Sequence, residues 1–122
     1  MSQFGRRIRP HVDTELGAAT QAERLGQQQR AFAHLERAHV LGQASTVQHV
    51  RVHWAMLLWG IRQRRPRECA GQLPRIVGAA SKTAFGLVPH GNTGGANVSP
   101  FKPMPIAPEL EARIRQARRR QA

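Results

Sequence analysis

Apolar positions recur at helical spacing in four successive stretches of the chain. The first follows Pro10, where Asp13 or Thr14 offers an N-cap and Glu15 stands in the first turn. Its apolar face, Leu16, Ala19, Ala22 and Leu25, is thin, and Gly26 offers a C-cap. The second runs from about Gln28 to Leu41, with Phe32, Leu35, Ala38 and Leu41 on one face and Ala31 and His39 alongside; Gly42 closes it. The third is the most apolar. Ser45 or Thr46 caps it, and Val47, Val50, Trp54, Leu57, Leu58 and Ile61 fall on one stripe that Val52, Met56 and Trp59 widen. That pattern predicts the buried centre of the fold. Pro66 ends this helix or opens the fourth, Arg67 to about Thr83, which carries Cys69, Leu73, Ile76, Val77 and Ala80 on one side. Pro74 inside it predicts a kink or a split, because proline lacks the amide donor that the helix needs.

After Gly86 the pattern changes. Residues 86–108 hold four Gly and five Pro, and Pro100, Pro103, Pro105 and Pro108 favour an extended path. Phe85, Leu87, Val88, Val98, Phe101, Met104 and Ile106 recur through the same stretch, more apolar side chains than a solvated linker carries, which predicts an ordered strap across the helices. The expected architecture is all-α: four helices in two antiparallel hairpins, tetratricopeptide-like or a small bundle, with an extended Gly/Pro-rich C-terminal strap. A basic arm over 1–11 precedes the helical domain of 12–85, and a basic tail over 109–122, a short frayed helix, follows the strap of 86–108. No 34-residue repeat is visible, so the tetratricopeptide likeness concerns architecture alone.

Composition narrows the field. A chain of 122 residues suits one domain and is too short for a large catalytic fold. With one cysteine, Cys69, it forms no internal disulfide, which fits a reducing compartment. The longest apolar run, Trp54 to Ile61, falls well short of the ~20 residues needed to cross a bilayer, and no apolar stretch follows the charged N-terminus as in a secretion signal. A cytoplasmic protein is expected. Lys and Arg number 19 against 7 acids, for a net charge of +12. The excess concentrates at Arg62, Arg64, Arg65 and Arg67 and in the terminal Arg118, Arg119 and Arg120. Those residues are the phosphate contacts expected if the protein associates non-specifically with nucleic acid. No recognition helix or aromatic stacking platform accompanies them.

Two groups of side chains offer chemistry. Glu36 and His39 lie three apart on the second helix, and His49 and His53 four apart on the third, spacings that place each pair on one helical face. Across a short turn the four could converge as a three-nitrogen, one-oxygen site for a transition-metal ion such as Zn, Cu or Fe, with His34 and Cys69 as spare ligands. The competing expectation is a polar network of Glu36 and His39 with His49 and His53 on an exposed flank. In the glycine-rich loop, Gly91, Asn92, Gly94 and Gly95 could turn their N–H groups inward as an anion nest near Lys82, His90 and Lys102. The competing expectation there is a tight turn that docks the strap. Cys69 beside Arg67 could be reactive, but a small core thiol is the simpler reading.

Four stretches carry a resemblance: Ala33 to Gln43, His49 to His53, Gly91 to Ser99, and Pro100 to Ile106. Through them the chain resembles a family of small bacterial proteins classed as a domain of unknown function, which implies no activity. The residues themselves point to a small non-enzymatic binding protein that engages a metal ion through the Glu/His cluster or a protein partner. A basic nucleic-acid-associated protein is the alternative, and a metal-dependent enzyme the second.

Overall fold

The computed structural model describes residues 2–84, 91–96, 98 and 103–119. Five helices follow in order among them: α1 (Gln3–Arg24), α2 (Gln28–Gly42), α3 (Thr46–Arg62), α4 (Pro66–Ala84) and α5 (Pro108–Arg118). No strand occurs among the described residues, and no helix there is long and apolar enough to cross a membrane. α1 packs along α2, α3 along α4, and α2 joins the two pairs through α3; α5 rests on α1 and α2.

Both ends of the helical region differ from expectation. α1 starts well before Pro10: Ser2 is its N-cap, with Oγ accepting the Gly5 N–H at 2.9 Å, so residues 3–11 are helix and not a separate arm. Pro10 sits inside the helix on its exposed side. The intrahelical bond lost there is outweighed by burial of Ile8 and Val12, both 0% exposed. They share one core with Leu110, Ile114 and Ala117 of α5, whose i, i+4, i+7 spacing gives the supposed frayed tail a buried face. Arg37 ties three helices together, its guanidinium meeting Glu15 of α1 at 3.0 Å and Glu109 of α5 at 2.6 Å.

α2 behaves as its pattern predicts, with Phe32, Leu35, Ala38 and Leu41 all buried. α3 does not. Ser45 caps it, but Val47, Trp54, Leu58 and Ile61 of the expected core stripe are exposed, Trp54 by 54%. The inward face is instead Gln48, His49, Val52, His53, Met56, Leu57 and Trp59. α4 shows the same inversion, with Leu73 and Val77 exposed and Gln72 fully buried. It runs unbroken through Pro74, because Pro74 and Ala70, whose carbonyl loses its donor, both face solvent.

From the expected strap, residues 91–96, 98 and 103–107 are described; Phe85, Leu87, Val88, His90, Phe101 and Lys102 lie outside the described residues. Gly91, at φ +79°, lies so close to the Met104 carbonyl that a Cβ would fall 1.8 Å from its oxygen. The two parts of the stretch therefore pack against each other, and Ile106 packs on the helical core.

Candidate metal centre

Successive turns of α3 put His49 and His53 on its inward face, and the last turns of α2 bring His39 opposite them. All three imidazoles are at least nine-tenths buried. Their Nε2 atoms form a near-equilateral triangle: 3.0 Å from His39 to His49, 3.1 Å from His39 to His53 and 3.2 Å from His49 to His53. This is the one such group of His, Cys, Asp and Glu among the described residues.

The outer ring nitrogens determine what the triangle presents. His39 Nδ1 lies 2.6 Å from the Asn92 backbone carbonyl, which can only accept, so the proton of the neutral ring is on Nδ1. His53 Nδ1 lies 2.6 Å from Gln72 Oε1. The orientation of that amide is fixed by its other end, since Gln72 Nε2 faces two acceptors, the Gly94 carbonyl at 3.0 Å and the Glu68 carboxylate. His53 therefore also carries its proton on Nδ1. Both rings aim bare lone pairs at the centre of the triangle, an arrangement that repels unless a proton or a cation lies between them. A proton on His49 Nε2 can relieve part of this repulsion; the His39 and His53 lone pairs still oppose each other.

Protonation is disfavoured as the way out. Burial holds His39 well below the usual imidazole range, and the neighbouring His53 and His49 push the same way. Burial brings His53 down to about 4 and the Arg75 charge adds to the effect, against the hydrogen bond to Gln72. Neutral imidazole is the form that ligates metals, and an outer hydrogen bond that fixes the tautomer is the usual support for a metal-bound histidine. The span also fits. A cation ~2.1 Å from all three nitrogens would sit about 1 Å off their plane, with N–metal–N angles of roughly 91–99°, nearer the octahedral than the tetrahedral value.

The other expected ligands are elsewhere. Glu36 stands outside the triangle: half-buried, it accepts a hydrogen bond from the Thr93 hydroxyl, and burial together with nearby Glu68 raises its carboxyl above the usual range. His34 and Arg37 both pair with Glu15 on the α1 side. Cys69 is a free thiol packed against Gly60, where α3 and α4 meet.

In the glycine-rich loop two amides are already engaged within the protein. The Gly94 N–H is taken by Asn92 Oδ1 at 2.9 Å and the Ala96 N–H by Glu68 at 3.1 Å. What the loop offers the site is carbonyls, from Asn92 to His39 and from Gly94 to Gln72. Gly94 lies flat on the His39 ring at φ +84°, and a Cβ there would come within 2.4 Å of Cδ2. Of these supporting residues Gln72 is the one sequence reasoning overlooked. Its only signal was a polar side chain among apolar neighbours on the inner face of α4.

The arginines expected to hold phosphates do not form one surface. Arg62 forks onto Glu23 at 2.7 and 3.0 Å, Arg64, Arg65 and Arg67 surround the α3–α4 turn, and Arg118 of α5 sits over the Phe4 ring of α1. Arg119 accepts from Arg7 through its carbonyl. Arg120 lies outside the described residues.

Fold and site together define an all-helical protein with a buried three-histidine cluster closed by a glycine-rich loop. The chain belongs to the family described as protein of unknown function (DUF3703), whose model matches residues 6–114. No curated protein and no solved structure matches it.

Proposed function

We propose that this is a non-enzymatic metal-binding protein that holds one transition-metal ion, Zn, Cu or Fe, through the Nε2 atoms of His39, His49 and His53. One observation carries the reading: three buried ring nitrogens converge within 3.2 Å, two with tautomers set by carbonyl acceptors behind them. An all-imidazole set suits these ions. Glu36 is not a ligand in this reading. Its carboxylate and that of Glu68 offset the ion's charge from a distance, against the positive charge of Arg75 that also acts on His39 and His53. Burial of all three histidines supports holding an ion over turning over a substrate at it.

Elemental analysis of untagged protein, as purified and after equilibration with each ion, tests the reading. Near-stoichiometric metal is expected in the wild type and in Glu36→Ala, and its loss in His39→Ala and His53→Ala. Wild-type protein that takes up none of the three ions would reduce the cluster to a structural polar core.

A further inference from the structure

The surface of α3 and α4 turned away from the histidines is apolar. On α3, Val47, Trp54, Leu58 and Ile61 are exposed, Trp54 by 54% and Ile61 by 57%, and the half-buried Val50 stands in the same row. On α4, Leu73 and Val77 are exposed by 57% and 71%, flanked by exposed Ala70 and Ala80. The two rows adjoin. α3 turns His49, Val52 and Met56 inward, and α4 turns Glu68, Gln72 and Arg75 to the glycine-rich loop, so both rows stand on the outer side. At these exposures the six large side chains offer on the order of 600 Å² of apolar surface. That is the upper end of what a monomer leaves bare and approaches the ~800 Å² that each partner gives to a standard interface.

Charge and spacing identify the occupant. The chain carries a net charge of +12, yet the arginines bordering the α3 row are neutralised by acids of α1: Arg51 by Asp13 at 2.6 Å and Arg62 by Glu23 at 2.7 Å. An anionic membrane or an acidic partner is recruited by free cations along such a border. A neutral border instead lets two copies of a basic chain approach. The spacing is self-complementary as well. Val47, Val50, Trp54, Leu58 and Ile61 follow at intervals of 3, 4, 4 and 3, the same in either direction about Trp54. Ala70, Leu73, Val77 and Ala80 follow at intervals of 3, 4 and 3, the same in either direction about position 75. Gly60 lies against Cys69, a register that sets Trp54, six residues before Gly60, level with Arg75, six after Cys69. One two-fold axis crossing both helices at that level therefore maps each row onto itself.

We propose that this face is the interface of a homodimer, in which α3 packs antiparallel on α3 of a second copy, and α4 on its α4, about a two-fold axis at the level of Trp54. Val47 of each copy then stands opposite Ile61 of the other, Val50 opposite Leu58, Leu73 opposite Val77, and Trp54 opposite its own counterpart. Such a contact uses the same patch on both copies and closes. The antiparallel sense also suits the charge. Arg64, Arg65 and Arg67 lie at the α3–α4 turn, beyond one end of the rows, and antiparallel packing sends the two clusters to opposite ends of a helix roughly 25 Å long. That is several times the distance over which salt screens exposed charges. The dimer stands independently of the metal reading, since the histidines line the opposite side of α3.

Sedimentation equilibrium of metal-free protein across micromolar concentrations tests this. The expected mass is twice the 13.6 kDa of the chain. Trp54→Glu, which brings two carboxylates together on the axis, and Val77→Glu on α4 should each sediment at the mass of one chain. Both should keep the wild-type helical circular dichroism, because these positions are exposed in the single copy. Cross-linking in a Cys69→Ala background tests the register without disrupting the face by charge. Trp54→Cys should be joined to its counterpart by a short bismaleimide. Val47→Cys alone should not, since the two copies of residue 47 lie roughly 21 Å apart along the helices, but Val47→Cys mixed with Ile61→Cys should. A wild type that stays monomeric would overturn the proposal, and its pelleting with phosphatidylserine vesicles would give the face to a membrane surface instead. Dimers that survive both glutamate substitutions would place the interface elsewhere. Val47→Cys that links to itself as readily as to Ile61→Cys would refute the antiparallel pairing.

Discussion

Acidifying the metal-free protein should destabilise it through the histidine triangle, and the size of the effect follows from the buried site. A histidine whose folded pKa lies below its unfolded value stabilises the fold above the unfolded pKa, and that stability is lost as pH falls toward the folded one. For His53 the window runs from the ordinary value near 6.5 down to about 4. At pH 5 the unfolded chain holds nearly one more proton at this residue than the folded chain. The linkage slope is then roughly 1 kcal/mol per pH unit, and the total loss between pH 7 and pH 4 about 3 kcal/mol. His39 shifts in the same direction and adds to it. Glu36, whose carboxyl is raised mainly by burial, works the other way as pH falls toward the ordinary carboxylate range, so the informative quantity is a difference between variants. Urea unfolding followed by circular dichroism at pH 7, 6, 5 and 4.5 supplies it. His53→Gln, which keeps a polar group facing Gln72 and cannot titrate in this range, should show a slope near pH 5 shallower than the wild type's by about one proton. Equal slopes would mean that His53 takes up its proton in the folded state as readily as in water, and the closed, neutral triangle would be wrong.

Two further substitutions probe the support behind the histidines. Gly94→Ala adds a methyl carbon 2.4–2.8 Å from atoms of the His39 ring at a positive-φ position, so it should lower thermal stability by about 2 kcal/mol or more and reduce Zn affinity in a competition titration, although residue 94 is no ligand. Gln72→Leu keeps the volume but removes the acceptor for His53 Nδ1 and the donor to Gly94, and a loss of about 10–100-fold in Zn affinity is expected, measured by the same titration.

How far the sequence could be read depended on which residues the fold turned inward. The helical class, the bounds of α2, the Ser45 cap and the Gly26 turn follow from local signals: spacing, side-chain oxygens before a helix and glycine after one. The convergence of His39 with His49 and His53 was one of two expectations the spacing left open, since i, i+4 spacing and a short turn equally allow His49 and His53 to lie on an exposed flank. The rotation of α3 and α4 was not legible. A periodicity argument sends the largest apolar stripe to the core, and here that stripe lost to His49, His53 and Gln72, which meet one another, His39 of the neighbouring helix and, through Gln72, the Gly94 carbonyl of the glycine-rich loop. Glu36 stays out of the histidine group for a related reason: it lies three residues from His39 on the same helix, but its carboxylate ends beside Thr93. Composition and spacing thus determined helices and a histidine pair with a third histidine nearby. Long-range hydrogen bonds from Asn92, Gly94 and Gln72, which no local pattern encodes, decided which nitrogens face one another and in which tautomer.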